Sequence, residues 1–600
     1  MKDKNQSAGQ SEAGQLKPAE INGMSGEKKS SDRSRESSSF IPHPSTLRLS
    51  LLVALSFIVL SAIAFPPFNQ VWAVLVFMAP FVKWAFARPR WKTYLLAAFG
   101  AGWGSWFVIL IWLRHIAPPW GWVGLAMLSA YLGLYSFAWL AALRWAAPRL
   151  DGAARWRRLA GLFALAGLWV VLDWVRGWLF TGFPWLPLAA AFWKFPLFLQ
   201  PLQWTGAWSV TFAIVLFNLG LVCGTGPEPS ADGSPAPRRR IIWPARIGPE
   251  LIAPVLLFIG AVFLASMLMH NPQRDKQRLL RVGLVQPDTP ALLKWDAADQ
   301  KENWDTLWNL SQTFVFRDQS PNNVDLVLWP EAAPPFILPN GAQQPERELI
   351  QKLADTIHRP VLFGAVGEVN PPPGQKDSPG LFDGVMLVHP NKGFAPEVYA
   401  KRHLVPFGEY NPLPSWFPFH PKVVQLIGNT IPGDHAVTIP VSLPNGGTVQ
   451  TGPLVCYEDV FPYLARDQAK AGAELLVVVT NDAWYGTGGG ALQHAAHSVL
   501  RAIETRRPVL RCGNDGWSGF IDQDGDAFEL EKEGKKTGIE WVLLAKGSTY
   551  FRGTGALVVY TNPQFAGVET FYVRHGDWFV GLSALLAFGG MAALLRQSKR

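Results

Sequence analysis

The chain reads as a multi-pass α-helical membrane domain joined to an α/β layered soluble domain. Three observations predict this. Apolar runs of membrane-spanning length follow one another from about residue 48 to 272, and one more lies near the C-terminus. Between them, residues 273–576 alternate short apolar segments with helical patterns. At 600 residues, with 28 Trp, 37 Phe and only 16% charged residues, the chain is too long for one core and too apolar to be wholly soluble.

Residues 1–47 are rich in Ser, Lys, Glu and Gly and poor in large apolar groups, so they are expected to be a disordered tail. They lack the early apolar core of a signal peptide. The apolar runs then fall near 49–65, 68–87, 93–113, 120–143, 159–180, 204–223 and 250–270, giving seven spans within 48–272, with an eighth near 578–595. Only Pro66-Pro67 separates the first two, which therefore either cross twice or form a re-entrant pair. Alternate loops carry very different charge. One set holds Arg88, Arg90, Lys92, Arg144, Arg149, Arg155, Arg157, Arg158, Arg238, Arg239, Arg240 and Arg246, whereas the other holds Arg114 and Lys194 and little else. Cationic loops stay in the cytoplasm. The tail is thereby expected inside, 273–576 on the opposite face, and 577–600 as a last span ending in a short cytoplasmic tail. In a two-membrane bacterium that opposite face is the periplasm.

The net charge of +9 resides largely in the tail and these loops, so it reads as a topology signal and not as a nucleic-acid footprint. Three cysteines without a CxxC exclude a disulfide scaffold and a cysteine-rich zinc site. In the soluble domain, Arg281–Gln286, Val324–Trp329, Pro360–Gly364, Thr451–Val455 and Glu474–Thr480 read as buried strands. Segments 296–317, 345–357, 462–472 and 491–505 read as the helices between them.

Three short stretches carry reactive groups. Cys456 stands where the strand Gly452-Pro-Leu-Val455 gives way to Tyr457-Glu458-Asp459. A thiol at such an elbow is expected at the exposed tip of a sheet, with a helix N-terminus favouring its thiolate. Glu331 follows Leu328-Trp-Pro330 and precedes Ala-Ala-Pro-Pro, an apolar setting that would raise its pKa and suit a general base. Lys401, in Tyr399-Ala-Lys-Arg-His403, would bring positive charge to a developing oxyanion. Taken alone, each has a plainer reading: a small buried thiol, a strand-end carboxylate and a solvated lysine.

Together these stretches resemble the nitrilase, or carbon–nitrogen hydrolase, superfamily. The resemblance extends over residues 45–595 to its membrane-embedded branch, the apolipoprotein N-acyltransferases. It is carried by Asp173-Trp-Val-Arg176 and Thr181-Gly-Phe-Pro-Trp185 in the membrane domain. The soluble domain adds Val285-Gln-Pro-Asp288, Lys294-Trp295, the three stretches above, Asn481-Asp-Ala-Trp484-Tyr-Gly486, Gln493-His494 and Arg501-Ala-Ile-Glu-Thr-Arg-Arg-Pro508. It implies an α-β-β-α sandwich in which Glu331 is the general base, Lys401 the oxyanion stabiliser and Cys456 the nucleophile. Glu409 matches a second required glutamate, and Tyr457 and Glu458 match the positions after the nucleophile. On this reading Glu458 orients Lys401 by a hydrogen bond, while Trp295 and Trp484 line the lipid approach. Where the family usually has Tyr-Asn-Ser this chain has Phe382-Asp383-Gly384, and its N-terminal tail is long for the family.

The resemblance implies a ping-pong acyl transfer: a phospholipid acylates Cys456, and the α-amino group of a diacylglyceryl-cysteine at the N-terminus of an apolipoprotein takes the acyl group. The partners expected are that phospholipid, that lipoprotein and the inner membrane, with no nucleic acid, no cofactor, no metal and a monomeric enzyme. Trp416-Phe-Pro-Phe419 would dip into the bilayer interface. His494 and His497 have ligand spacing but no third partner in sequence, which favours a structural helix. Cys512 is expected buried and free, and Cys223 in membrane-helix packing. The alternatives are a membrane-tethered amidase hydrolysing a small amide, and a transporter or receptor with a degenerate domain.

Overall fold

The computed structural model of the protein describes residues 44–116, 119–223, 248–268, 277–290, 294–315, 323–341, 344–369, 380–414, 416, 430–443, 446–528, 549–561 and 567–596. Residues 1–43 of the expected tail, the loop holding Arg238–Arg240 and Arg246, and residues 417–419 fall outside the described residues, whereas residues 44–47, expected in that tail, already belong to the first helix, Pro44–Ala64.

Strands β1 (Gln277–Gln286), β2 (Leu326–Trp329), β3 (Val361–Val369), β4 (Gly380–His389), β5 (Gly393–Phe394) and β6 (Tyr399–Ala400) join β13 (Gly553–Thr561) in one sheet. Its order is β13-β1-β2-β3-β4-β5, with β6 paired to β4. The second sheet holds β7 (Ile439–Ser442), β8 (Thr448–Val455), β9 (Leu475–Thr480), β10 (Val509–Gly513), β11 (Gly519–Ile521) and β12 (Ala527–Phe528) in the order β12-β11-β10-β9-β8-β7. The centres of both sheets are parallel, β1-β2-β3 in one and β8-β9-β10 in the other. A parallel pair needs a crossover, and four helices supply it: Gln300–Ser311, Pro345–Ile357, Pro462–Lys470 and Gly490–Thr505. The five strands and four helices read from the alternating pattern are therefore all present.

The layers follow from which side of each strand is apolar. Leu280, Val282, Leu284 and Leu328 of the first sheet meet Val455, Leu475, Val477 and Val479 of the second to form the central core. Val327, Trp329, Val361 and Phe363 face outward under Gln300–Ser311 and Pro345–Ile357. Leu454, Leu476 and Val478 face outward on the other side, against Pro462–Lys470 and Gly490–Thr505. That last core does not end at solvent. It runs on without a break into the membrane helices, which is why all of Gly490–Thr505 except the partly buried Leu492 is buried, polar side chains included. The domain is thus an α-β-β-α sandwich with one helical layer pressed on the membrane domain.

Several helices are long and apolar enough to span a bilayer, but not all eight expected ones meet that test. Four single helices do, Thr46–Ala64, Trp120–Leu150, Arg155–Arg176 and Trp578–Arg596, and the pair Pro196–Thr205 with Trp208–Cys223, bent by 119°, makes a fifth when counted as one. The expected run 68–87 is broken into Val71–Leu75 and Ala79–Phe86. The run 93–113 forms Trp91–Ile109, whose Gly100, Gly102, Gly104 and Ser105 dilute its hydropathy. Gly102 serves close packing there: a Cβ on it would lie 2.7 Å from the Gly133 carbonyl oxygen of the neighbouring helix. The described arginine-rich loops gather at one end of the bundle, where Arg88 pairs with Asp151 at 2.8 Å and Arg144 donates to the Pro89 carbonyl at 2.8 Å. Arg158 pairs with Glu250 at the same end.

Candidate active site

The three residues singled out from the sequence sit just past the C-terminal ends of strands from both sheets. Glu331 follows β2, Lys401 follows β6 and Cys456 follows β8, the edge where α/β domains place ligands. All three are buried. Lys401 Nζ lies 3.3 Å from Glu331 Oε1 and also donates to Glu409 Oε1. The backbone at Glu331 is pinned closely. A Cβ on Gly364 would come within 2.6 Å of its Cα, and its carbonyl oxygen accepts from the Lys294 ammonium at 3.0 Å.

This cluster holds an excess of acid. Glu331, Asp383 and Glu409 present oxygens all within 4.8 Å of one another, with the Lys401 ammonium among them and 3.8 Å from Asp383 Oδ2. Three carboxyls so placed could hold a cation, and the lysine is a cation built into the chain. Burial pushes the Lys401 pKa down, but Glu409, Glu331, Cys456 and Asp383 push it up and win, so the ammonium is well above its ordinary range. For Asp383 burial and the repulsion of Glu331 raise the pKa well above the carboxylate range, against the pull of Lys401. Lys294 is lowered to about 8, burial outweighing Glu331 and Asp383.

Cys456 opens a short 3₁₀ turn, Cys456–Val460, with a left-handed φ of 52° that only a firmly held non-glycine residue adopts. Its sulfur is not at an exposed tip. The residue is 7% exposed, because it belongs to the core between the two sheets. Nor does the turn favour the thiolate. Burial and the charge of Glu331 push the thiol well above its usual range, and Lys401 offsets this only in part. A turn of five residues carries too little dipole to reverse that. The thiol is a protonated acid that needs a base beside it.

Beneath the elbow lies a second buried charged group that the sequence did not reveal. Arg511 Nη1 bonds Asp459 Oδ2 at 2.8 Å and its Nη2 bonds Asp482 Oδ2 at 3.0 Å. His494 Nε2 is 2.7 Å from Asp459 Oδ1 and 3.1 Å from the Cys456 carbonyl oxygen, and its Nδ1 is 2.8 Å from Asp482 Oδ1. Burial and Arg511 lower the imidazole pKa, but the two aspartates raise it further, to about 9. His497 accepts from the Leu186 backbone N–H at 3.1 Å. Both histidines thus have structural partners, as the helix reading expected.

The remaining candidates divide. Glu409 also accepts from the Val405 N–H at 2.8 Å, which closes the loop after Lys401. Glu458 does not bond the lysine ammonium. It accepts from the backbone N–H of Arg402 at 2.6 Å, His403 at 3.1 Å and Val455 at 2.7 Å, and from the Tyr399 hydroxyl at 2.8 Å. It therefore ties the strand end carrying Cys456 to the residues flanking Lys401, and any orienting effect passes through the backbone. Trp295 and Trp484 are exposed, as is Trp416. Cys512 is free and buried, its thiol directed at the Val285 and Leu328 carbonyls, and Cys223 is free in its membrane helix.

Two family models match the chain: the apolipoprotein N-acyltransferase N-terminal domain over residues 59–220, and carbon-nitrogen hydrolase over 281–544. Among curated relatives, the apolipoprotein N-acyltransferase of Rhizobium leguminosarum bv. trifolii is 30% identical over 78% of this chain and 85% of its own length. That of Haemophilus ducreyi is 28% identical over 85% and 95%, and that of Geobacter metallireducens 29% over 78% and 84%. The chain belongs to the apolipoprotein N-acyltransferase family. Among solved structures, an amidase from Nesterenkonia sp. AN1 is 18% identical over 51% of this chain and 98% of its own, with a TM-score of 0.33.

The stretches that carry the resemblance in sequence lie at the seam between membrane and catalytic domains. Arg176 is held by Asp173 and donates to the carbonyls of Phe183 at 2.8 Å and Trp185 at 2.9 Å, fixing the loop Thr181–Trp185. Tyr457, next to the nucleophile candidate, stacks near Trp185 and donates to the Gly182 carbonyl at 3.4 Å. Gln493 meets four partners: its amide donates to the Pro66 and Ile109 carbonyls, and its oxygen accepts from the Trp112 and Trp185 indoles. These N-acyltransferase positions act in pairs far apart in sequence, so spacing alone could not assign them.

Proposed function

We propose that the chain transfers a fatty acyl group from a membrane phospholipid to the α-amino group of the diacylglyceryl-cysteine at the N-terminus of an apolipoprotein, through a thioester on Cys456. Membership of the N-acyltransferase family supports the reaction. The observation that carries the site assignment is a buried thiol in the same site as a buried carboxylate and ammonium, with its neighbour Tyr457 packed directly on the membrane domain.

Glu331 takes the Cys456 proton as sulfur attacks the ester carbonyl. The carbonyl oxygen becomes an oxyanion, which the Lys401 ammonium stabilises, a contribution of about 10²–10³ in rate for one such donor. The ester C–O bond breaks, and the lysophospholipid alkoxide leaves with the proton that Glu331 returns. The acceptor amine then attacks the thioester carbonyl. The C–S bond breaks, the amine proton passes by way of Glu331 to sulfur, and the amide and the thiol remain. Glu409 holds Lys401 by a hydrogen bond, Glu458 sets the backbone around it, and Trp295 and Trp484 face the lipid. No step calls on a metal or cofactor.

The arginine-rich loops collect at the end of the bundle away from Pro66, Ile109 and Trp185, which touch the catalytic domain. That supports eight crossings, counting the broken segments, with the N-terminus in the cytoplasm and the catalytic domain on the periplasmic face of the inner membrane. On this reading 48–272 is the seven-span domain, 273–576 the catalytic domain and 577–600 the last span, in a monomeric enzyme.

The test is to incubate purified protein with phospholipid alone and measure its intact mass. An acyl adduct on Cys456, discharged rapidly by a diacylated lipopeptide and slowly by water, is expected. Rapid discharge by water would favour a tethered amidase, and full turnover by Cys456→Ser would remove the nucleophile from the scheme.

A further inference from the structure

Asp383 stands on β4, opposite Val366 of β3 and next to Gly384, which pairs with Ala400 of β6, with its side chain buried in the acid cluster. Its backbone carbonyl accepts from the Lys401 N–H at 2.8 Å, so the residue is fixed against the lysine whatever its side chain does. Its Oδ1 has no hydrogen-bond partner, and Oδ2 lies 3.8 Å from Lys401 Nζ. The charged groups facing it are Glu331 from the end of β2, Lys401 and Glu409 from the loop after β6, and Lys294 from the segment after β1. Two lysines, Lys401 and Lys294, against three carboxyls still leave the cluster with an excess of negative charge, and two carboxyls within 4.8 Å of each other in a buried site resist ionising together at neutral pH.

We propose that Asp383 is a neutral carboxylic acid that donates its proton as a hydrogen bond to Glu331, and so keeps Glu331 the carboxylate that accepts the Cys456 proton. A neutral Asp has nearly the shape and donor capacity of an asparagine. Asp383 is a positioning residue, since it touches base and lysine but not substrate. The inference rests on the reading of Glu331 as base. Burial and the Glu331 charge, which hold the Asp383 proton, give the same direction. The sign follows. Activity is present below the folded pKa of Asp383 and is lost as pH rises through it, because an ionised Asp383 repels Glu331 and draws the Lys401 ammonium toward Oδ2.

The experiment uses the full chain in phosphatidylethanolamine vesicles. The rate of Cys456 acylation is followed by intact mass against pH for the natural protein, Asp383→Asn and Asp383→Ala, together with the infrared difference spectrum between the natural protein and Asp383→Asn. Asp383→Ala is expected to acylate at least tenfold more slowly at pH 7 and Asp383→Asn to restore most of that loss. The natural protein is expected to fall about tenfold per pH unit above the Asp383 titration, a limb that Asp383→Asn lacks. Lys294 and the thiol titrate in both, so the difference isolates Asp383. The difference spectrum is expected to contain a carboxylic-acid carbonyl band that disappears over the same pH range. Matching pH profiles, or no such band at pH 7, would overturn the proposal. If no variant forms an adduct, the acyl-transfer reading fails, while the infrared band still decides whether Asp383 carries a proton.

Discussion

Two buried ionic clusters flank Cys456, and they are built on opposite plans. The one under the elbow is balanced in charge: Asp459 and Asp482 face Arg511 and His494. The one beside the sulfur is not. Glu331, Asp383 and Glu409 crowd about Lys401, with an orphaned oxygen on Asp383. Both aspartates of the balanced set are depressed despite burial, the paired cations outweighing desolvation. In the unbalanced set Asp383 is pushed up. A balanced buried cluster holds a backbone in a strained shape. An unbalanced one stores a proton that can be exchanged, which catalysis needs.

Removing the central cation from each cluster should separate the two roles. Lys401→Met is expected to slow Cys456 acylation by about 10²–10³, since one oxyanion donor is lost. Its melting midpoint should move little, because the three acids can protonate in compensation. Acylation within tenfold of the natural rate would break this distinction. Arg511→Met leaves Asp459 and Asp482 with His494 alone, and breaking a buried ion pair costs about 3–5 kcal/mol. A drop in thermal midpoint larger than that of Lys401→Met is the expected result, read in detergent by loss of tertiary signal.

The contrast was only half visible in the sequence. The sandwich was legible because each crossover unit is local: a strand, a helix and the next strand occur in order, as between β8 and β9. The reactive trio was legible because Glu331, Lys401 and Cys456 each interrupt an apolar stretch. The balanced cluster was not, since Asp459, Asp482 and Arg511 meet only through the parallel register that sets Val455 beside Val479 and Val479 beside Cys512. Burial of Cys456 was missed for a similar reason. The cysteine shares a core cluster with Leu328, Leu362 and Tyr399, which come from the other sheet. Hydropathy saw the apolar runs but not the break between Val71–Leu75 and Ala79–Phe86, which is a matter of backbone packing.

The balanced cluster also predicts a pH limb of its own. His494 is raised from 6.5 to about 9, with the two aspartates overcoming burial and Arg511. A raised histidine contributes stability that is fully present below the unfolded value and is lost as pH rises through the folded one. The melting midpoint should therefore hold below about pH 6.5 and decline through about pH 9, an effect on the order of 3 kcal/mol for a shift of this size. His494→Gln should lack that limb. A midpoint flat from pH 6 to 10 in the natural protein would show that the imidazole is neutral and that Arg511 alone neutralises the pair.

Glu458 belongs to neither cluster but spans the gap between them, since its carboxylate joins Val455, just before the nucleophile, to Arg402 and His403, just after the lysine. Glu458→Gln keeps the shape but turns an amide NH₂ toward groups that are themselves donors. One carboxylate oxygen meets Arg402 and His403 and the other meets Val455 and Tyr399, so either amide orientation leaves two donors facing a donor. The Cys456–Lys401 geometry should loosen, and acylation should fall by about tenfold, or roughly 1.4 kcal/mol. The shape of the pH profile should stay unchanged, because no titrating group of the acid cluster has been altered. A shifted alkaline limb in Glu458→Gln would mean that the two clusters communicate through this residue and do not act separately.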